Sequence, residues 1–340
     1  MPKVKYILRF ATVTACLGLG LRALFSDLPI RALVWDEQWW GWCASLVGMS
    51  WKEWVTSASV DAGIETVKLI IGIVMIVIAG LVITVERDTK VIKTALWIAF
   101  VILLIQNFLN WKEHFWQIGQ LLELSLLTAT PLLYMKYGGG RGLTRFEQTK
   151  EDSYLPYGTL RSWLSRLRRP AEVQGGRTSE NAARFSPMPP QHSGPEIGIG
   201  HSTIDSFGSV EAVRVTTCLV ALTFIGHGFY AAGVHPVPAS FVMMTQASLG
   251  VGEGVARNLL FSAGLLDFMA AALLLIPRNK AMLIALCWII PWAILTTLAR
   301  WWSYQGIVEW NTLLTQWLPE VIIRLPHVLV PLVLWRWVRK

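Results

Sequence analysis

The sequence predicts an all-α membrane protein of about eight transmembrane helices, arranged as two tandem four-helix units joined by a long cytoplasmic linker. Three observations carry that reading. Of the 340 residues, 54% are apolar and only 15% charged, with a mean hydropathy of +0.47; soluble domains average roughly a quarter charged. The apolar residues gather in runs close to the roughly 20 residues that cross a bilayer core. The basic residues collect at alternate connections between those runs, as the positive-inside rule demands.

The runs cover residues 6–25, 62–85, 91–109, 115–134, 213–232, 256–276, 281–299 and 318–338. Lys3, Lys5 and Arg9 precede the first run like the basic part of a signal peptide, and Val13-Thr14-Ala15-Cys16 resembles a loose lipoprotein cleavage site. The stretch between Arg9 and Cys16 is too short for a signal-peptide apolar region, so the first run is expected as a retained span. The connection after it carries Trp35, Trp39, Trp40, Trp42, Trp51 and Trp54 with little apolar length, which describes pieces lying in the membrane interface. With both termini cytoplasmic, 22 of the 30 Lys and Arg residues fall on the cytoplasmic side. The net charge of +8 is therefore read as attraction to anionic lipid headgroups, not to nucleic acid.

Composition divides the chain into a first membrane unit (1–136), a polar linker rich in Gly, Pro and Ser (137–211) and a second membrane unit (212–340). Within the linker, Leu160, Trp163, Leu164 and Leu167 fall at helical spacing beside Arg161, Arg166, Arg168 and Arg169, with Pro170 ending the run. That is a short basic amphipathic helix suited to a lipid surface, with docking on a partner as the alternative. The two units share a plan, and at an offset of 202 residues Cys16 meets Cys218 and Glu65 meets Asp267, while Pro131 meets Pro331 at 200. Cys16, Cys218 and Cys287 lie in apolar runs and are expected as small packing residues; Cys43 falls in a polar connection, and no Cys/His spacing points to a metal site.

Ionisable groups within spans are costly and mark candidate sites. Here they are Glu65, Lys68 and Glu123 in the first unit and His227, Asp267, Arg324 and His327 in the second. Glu65 and Lys68 are spaced to pair directly, and Asp267 is expected to meet Arg324 across the bundle. His227, between Gly226 and Gly228, sits where helices can approach closely and hydrogen-bond. Together these groups describe either a polar pocket for a quinone headgroup or a proton path, or internal ion pairs that fix packing.

Three segments, Phe224-Ile225-Gly226-His227-Gly228-Phe229-Tyr230, Pro236-Val237-Pro238 and Ala263-Gly264-Leu265-Leu266-Asp267-Phe268, resemble the DoxX-like family of four-helix membrane proteins. The resemblance covers residues 215–335 and extends to 10–135 by plan alone. The family takes its name from a subunit of an archaeal thiosulfate:quinone oxidoreductase. It implies an accessory subunit of a quinone-linked electron-transfer assembly in the cytoplasmic membrane, with other membrane subunits and lipids as partners. A small-solute or proton carrier and a thiosulfate or thiol:quinone oxidoreductase component are the alternatives. The architecture is also distantly similar to the vitamin K epoxide reductase group, whose CxxC pair is not present, so disulfide-relay chemistry is not implied.

Overall fold

The computed structural model describes residues 2–138 and 202–339, and the basic helix expected around Arg161, Arg166, Arg168 and Arg169 lies outside them. The described residues are helical apart from turns and a single isolated bridge between Gln305 and Val308. Among the described residues, eight helices are long and apolar enough to cross a membrane: Val4–Phe25, Ala58–Thr84, Lys90–Glu113, Ile118–Tyr137, Val210–Ala231, Glu253–Leu275, Asn279–Trp302 and Trp310–Val338.

In chain order the elements begin with α1 (Pro2–Phe25), then the short α2 (Arg31–Val34), α3 (Glu37–Leu46) and α4 (Trp51–Thr56). Local chemistry starts these pieces. Asp36 caps α3 by accepting from the Gln38 N–H, and Ser50 with Glu53 forms a reciprocal capping box on α4. The long α5 (Ala58–Thr84) follows, and Arg9 on α1 donates from Nε to the Val82 carbonyl near its end at 2.7 Å. Thr89 caps α6 (Lys90–Glu113). The chain then turns through Phe115 and Trp116, both left-handed at φ 52° and 59°, a conformation bulky side chains seldom adopt. These two residues had been expected inside the fourth span; they form the turn before it.

The fourth span is broken in two, α7 (Ile118–Glu123) and α8 (Ser125–Tyr137), with Leu124 between. The second half begins with α9 (Ser202–Ala231), α10 (Ala239–Leu249), α11 (Glu253–Leu275) and α12 (Asn279–Trp302). Its last span runs through α13 (Trp310–Thr312), a π-helical turn (Leu313–Trp317), α14 (Leu318–Arg324) and α15 (Pro326–Val338). Pro326 explains the break at Leu325, because its ring clashes with the preceding helical turn and it offers no N–H. No proline accounts for the break at Leu124. There, Asn107 of α6 bridges the gap, donating to the Leu121 carbonyl and to Thr128 Oγ1, both at 3.3 Å.

The halves interleave. Helix α1 packs on α5 but also along α14 and α15, while α9 packs on α11 and along α7 and α8. One apolar core therefore runs through both halves, from Leu8, Leu19, Leu96 and Leu126 to Leu274, Leu286 and Val333. Outward, Ile70, Ile73, Val77, Val101, Leu259, Met269, Ile284 and Leu295 are exposed, as lipid-facing side chains of a spanning bundle are. Cys218 and Cys287 belong to that outer surface, and only Cys16 is a buried packing residue. The expectation that Cys218 and Cys287 pack internally is thus corrected: both are exposed.

Candidate functional site

Backbone proximity creates the site. At Gly226 of α9 an added Cβ would lie 2.3 Å from the Glu123 nitrogen and 2.5 Å from the Gly119 carbonyl oxygen, so α9 and α7 touch main chain to main chain there. Gly18 of α1 meets Ile323 of α14 in the same way, at 2.4 Å from its nitrogen. These contacts draw the two broken spans into the centre, immediately beside their breaks.

Glu123 and Arg324, the residues just before the two breaks, form an ion pair at 2.8 Å between the halves. Glu123 is 4% exposed. The His327 ring spans the same region, donating from Nε2 to the Glu123 carbonyl at 3.2 Å, with Nδ1 3.2 Å from the Arg324 carbonyl. Both carbonyls are ones that a broken helix leaves short of a partner. The expected Asp267–Arg324 pair does not form. Asp267, fully buried, instead accepts from His227 Nδ1 at 2.6 Å and from Trp288 Nε1 at 2.9 Å. Its two oxygens are satisfied locally, and Arg324 reaches across the halves to a nearer carboxylate. Phe241 stacks on the His227 ring, with centroids 5.5 Å apart.

Glu65 and Lys68 pair as their spacing predicts, at 2.5 Å, but away from this centre. Glu65 also takes Arg31 at 2.8 Å, and Arg31 holds Asp61 and Asp27 as well. These carboxylates, Asp61 first and then Glu65, push the Arg31 guanidinium further above its usual range. Glu65 and Asp267 are thus not equivalent: the first is 44% exposed in a five-residue network with Lys68, Arg31, Asp61 and Asp27, the second has no exposure. Nearby, Lys112 grips Asp36 and holds its carboxyl below the usual carboxylate range, despite some desolvation. The Ser50 backbone N–H and hydroxyl do the same for Glu53.

Above the Glu123–Arg324 pair opens a cavity of about 550 Å³. Its ionisable lining includes Arg22, Glu123, Arg300, Glu320 and Arg324, with Asp27 and His114 also among its walls. A second cavity of about 30 Å³, with room for one water, shares Glu123 and Arg324 with the first and is also lined by His227, Thr223, Thr296 and Thr297. The lining residues sit on α1, α6, α7, α9, α10, α12, the π-helical turn and α14, toward the connections 26–57, 114–117, 232–252 and 303–309. Arg22 and Glu320 pair at 3.2 Å. Sequence reasoning passed over Arg22, Arg300 and Glu320 because each stands near the end of an apolar run, where a charge reads as an interfacial anchor. A usable signal was present: Arg300 precedes Trp301-Trp302, so a cation falls on the inner side of the aromatic belt. Compared with family models, with curated proteins and with solved structures, the chain finds no match in any of the three.

Proposed function

We propose that this multi-pass membrane protein binds a small hydrophilic solute in the charge-lined cavity, entered from the extracytoplasmic side. The cavity itself carries the reading. Its volume lies in the range of small-molecule sites, and charged groups within a membrane are retained at a cost that a binding or transport path explains. The mouth lies among the connections opposite the cation-rich ends. On the positive-inside argument those ends are cytoplasmic, in the cytoplasmic membrane, with both termini inside. Three of the eight basic residues outside that cytoplasmic set, Arg22, Arg300 and Arg324, line the cavity.

The two halves are read as divergent copies of one four-helix unit, 1–136 and 212–340, joined by 137–211. The exchange of partners supports this: each half's first helix rests on the other half's broken fourth span. Leu124 and Leu325 also interrupt those spans at matching points. A solute carrier built this way would bind at the interface between repeats. The test uses liposomes containing the purified chain and a panel of anionic, cationic and neutral solutes, with Ser240→Trp at the mouth as the blocked form. Saturable binding or flux of any one class, lost in Ser240→Trp, is expected. Parent protein indifferent to all three classes ends the reading.

The accessory-subunit role that the DoxX-like resemblance implies, quinone-linked and embedded among other subunits, is the second reading. The exposed aromatic turn favours it: Phe115 is 86% exposed beside a cluster of Trp39, Phe108, Trp111 and Trp116. It predicts that the chain isolated in mild detergent carries a bound redox subunit and reduces a soluble quinone analogue, and a folded sample with neither removes it.

A further inference from the structure

We infer that the solute is an anion, a carboxylate or a phosphate ester, and that Arg300 is the group that receives its charge. This rests on the solute-binding reading and specifies its ligand.

Among the described residues, the pairing of charges around the cavity leaves one cation over. Arg324 is matched by Glu123 at 2.8 Å and Arg22 by Glu320 at 3.2 Å. Asp27, at the rim, is held by Arg31 at 2.6 Å. Arg300 has no carboxylate within ion-pair distance among the described residues, although it is only 7% exposed. One of its five donors is used, Nη1 on the Thr296 carbonyl at 2.8 Å, a bond to its own helix four residues back. A guanidinium cannot shed its proton at neutral pH, so this charge is permanent. Leaving such a charge desolvated and unmatched is expensive. The accessible surface it keeps faces the cavity, and its planar fork suits two oxygens of one anionic group.

The two paired arginines strengthen the case. Arg22 and Arg324 each engage a glutamate on one flank, and the positive charge of all three surrounds one volume. A cation entering would be repelled by Arg300, which no carboxylate among the described residues pairs with directly. A neutral solute would leave it unmatched. An anion completes the pairing. At about 550 Å³ the cavity exceeds inorganic phosphate or acetate, so the anionic group belongs to a larger polar molecule, with Gln120, Ser240 and Gln316 available for its hydrogen bonds.

The experiment measures thermal unfolding of the full chain in nanodiscs of zwitterionic lipid, titrated with succinate and with glycerol 3-phosphate. Choline chloride at matched ionic strength, putrescine and glucose are the controls. One of the two anions should raise the unfolding midpoint saturably. Arg300→Gln should increase the half-saturating concentration at least tenfold, and Arg300→Lys, which keeps the charge but loses the fork, should fall between. No saturable response to either anion, or an equal response in Arg300→Gln, overturns the inference. Should Arg300→Gln not fold, Arg300→Lys decides: an increased half-saturating concentration for the anion upholds the inference and an unchanged response overturns it. Nanodiscs containing phosphatidylglycerol distinguish the source. Competition that weakens the added anion assigns the site to a lipid headgroup, and no competition assigns it to a free solute; either upholds the anion. Stabilisation by putrescine or glucose alone, lost in Ser240→Trp, would remove the anion and leave the cavity reading standing. Failure of every solute would remove both.

Discussion

Glu123 and Arg324 show how much depends on two side chains. Their pair joins the halves beside the backbone contact at Gly226. Removing one partner leaves the other charged without its mate, which costs roughly 3–5 kcal/mol for a fully buried pair. Arg324 keeps 21% side-chain exposure toward the cavity, so Glu123→Gln is expected to cost about 2–4 kcal/mol. The double change Glu123→Gln with Arg324→Met should cost less than Glu123→Gln alone, measured by reversible unfolding in mixed micelles. A double variant as unstable as the sum of its parts would show no coupling. Asp36 gives a pH signature. Lys112 lowers its folded pKa below an unfolded value of about 3.9. Its contribution is therefore fully present above about pH 4 and lost as pH falls through the lowered value. The stability gap between parent and Asp36→Asn should be constant from pH 5 to 8 and close under stronger acid; a gap that changes near neutrality would assign it to another group. The residues of the centre were legible because charge within an apolar run is conspicuous. Their partners were not, because pairing depends on where two helices break, and only Pro326 announces a break.

Among the helices, two glycine contacts hold the interleaved arrangement together. A methyl at Gly226 would have to displace the Glu123 backbone, not a flexible side chain. Gly226→Ala is expected to destabilise by about 1–3 kcal/mol, the usual range for overpacking, and to weaken the Glu123–Arg324 pair with it. Gly80→Ala on α5, where nothing lies within 4 Å, should be neutral or slightly stabilising. Unfolding in mixed micelles compares them, and equal effects at the two positions would contradict the close approach. Apart from the last span, which begins at Trp310 and not at 318, the spans were readable to within a few residues, since hydropathy and length decide them. The fourth span of the first half was not, because Phe115 and Trp116 are apolar yet turn the chain. Apolar composition records what a residue tolerates around it; it carries no backbone angle.

At the scale of the molecule, the architecture follows from satisfying polar groups inside a membrane. A break needs donors and a buried charge a partner: His327 and Arg324 of the second half supply these to Glu123 of the first, while Asn107 and Asp267 are satisfied within their own halves. Sequence reasoning anticipated two four-helix runs but placed their polar groups in separate bundles. Exchange of the fourth spans brings Glu123 of one half to Arg324 of the other, and no spacing within either half encodes that. The central claim is that this shared centre opens as an aqueous cavity to the extracytoplasmic face. Gln120→Cys, with Cys16, Cys218 and Cys287 replaced by Ala, tests it most directly in right-side-out vesicles. Cys43, in the connection between α1 and α5, provides the outer reference. A small membrane-impermeant thiol reagent should modify Cys43 readily and the position 120 thiol more slowly, both from outside. Modification at position 120 only from the cytoplasmic side, or from neither side, would contradict the account.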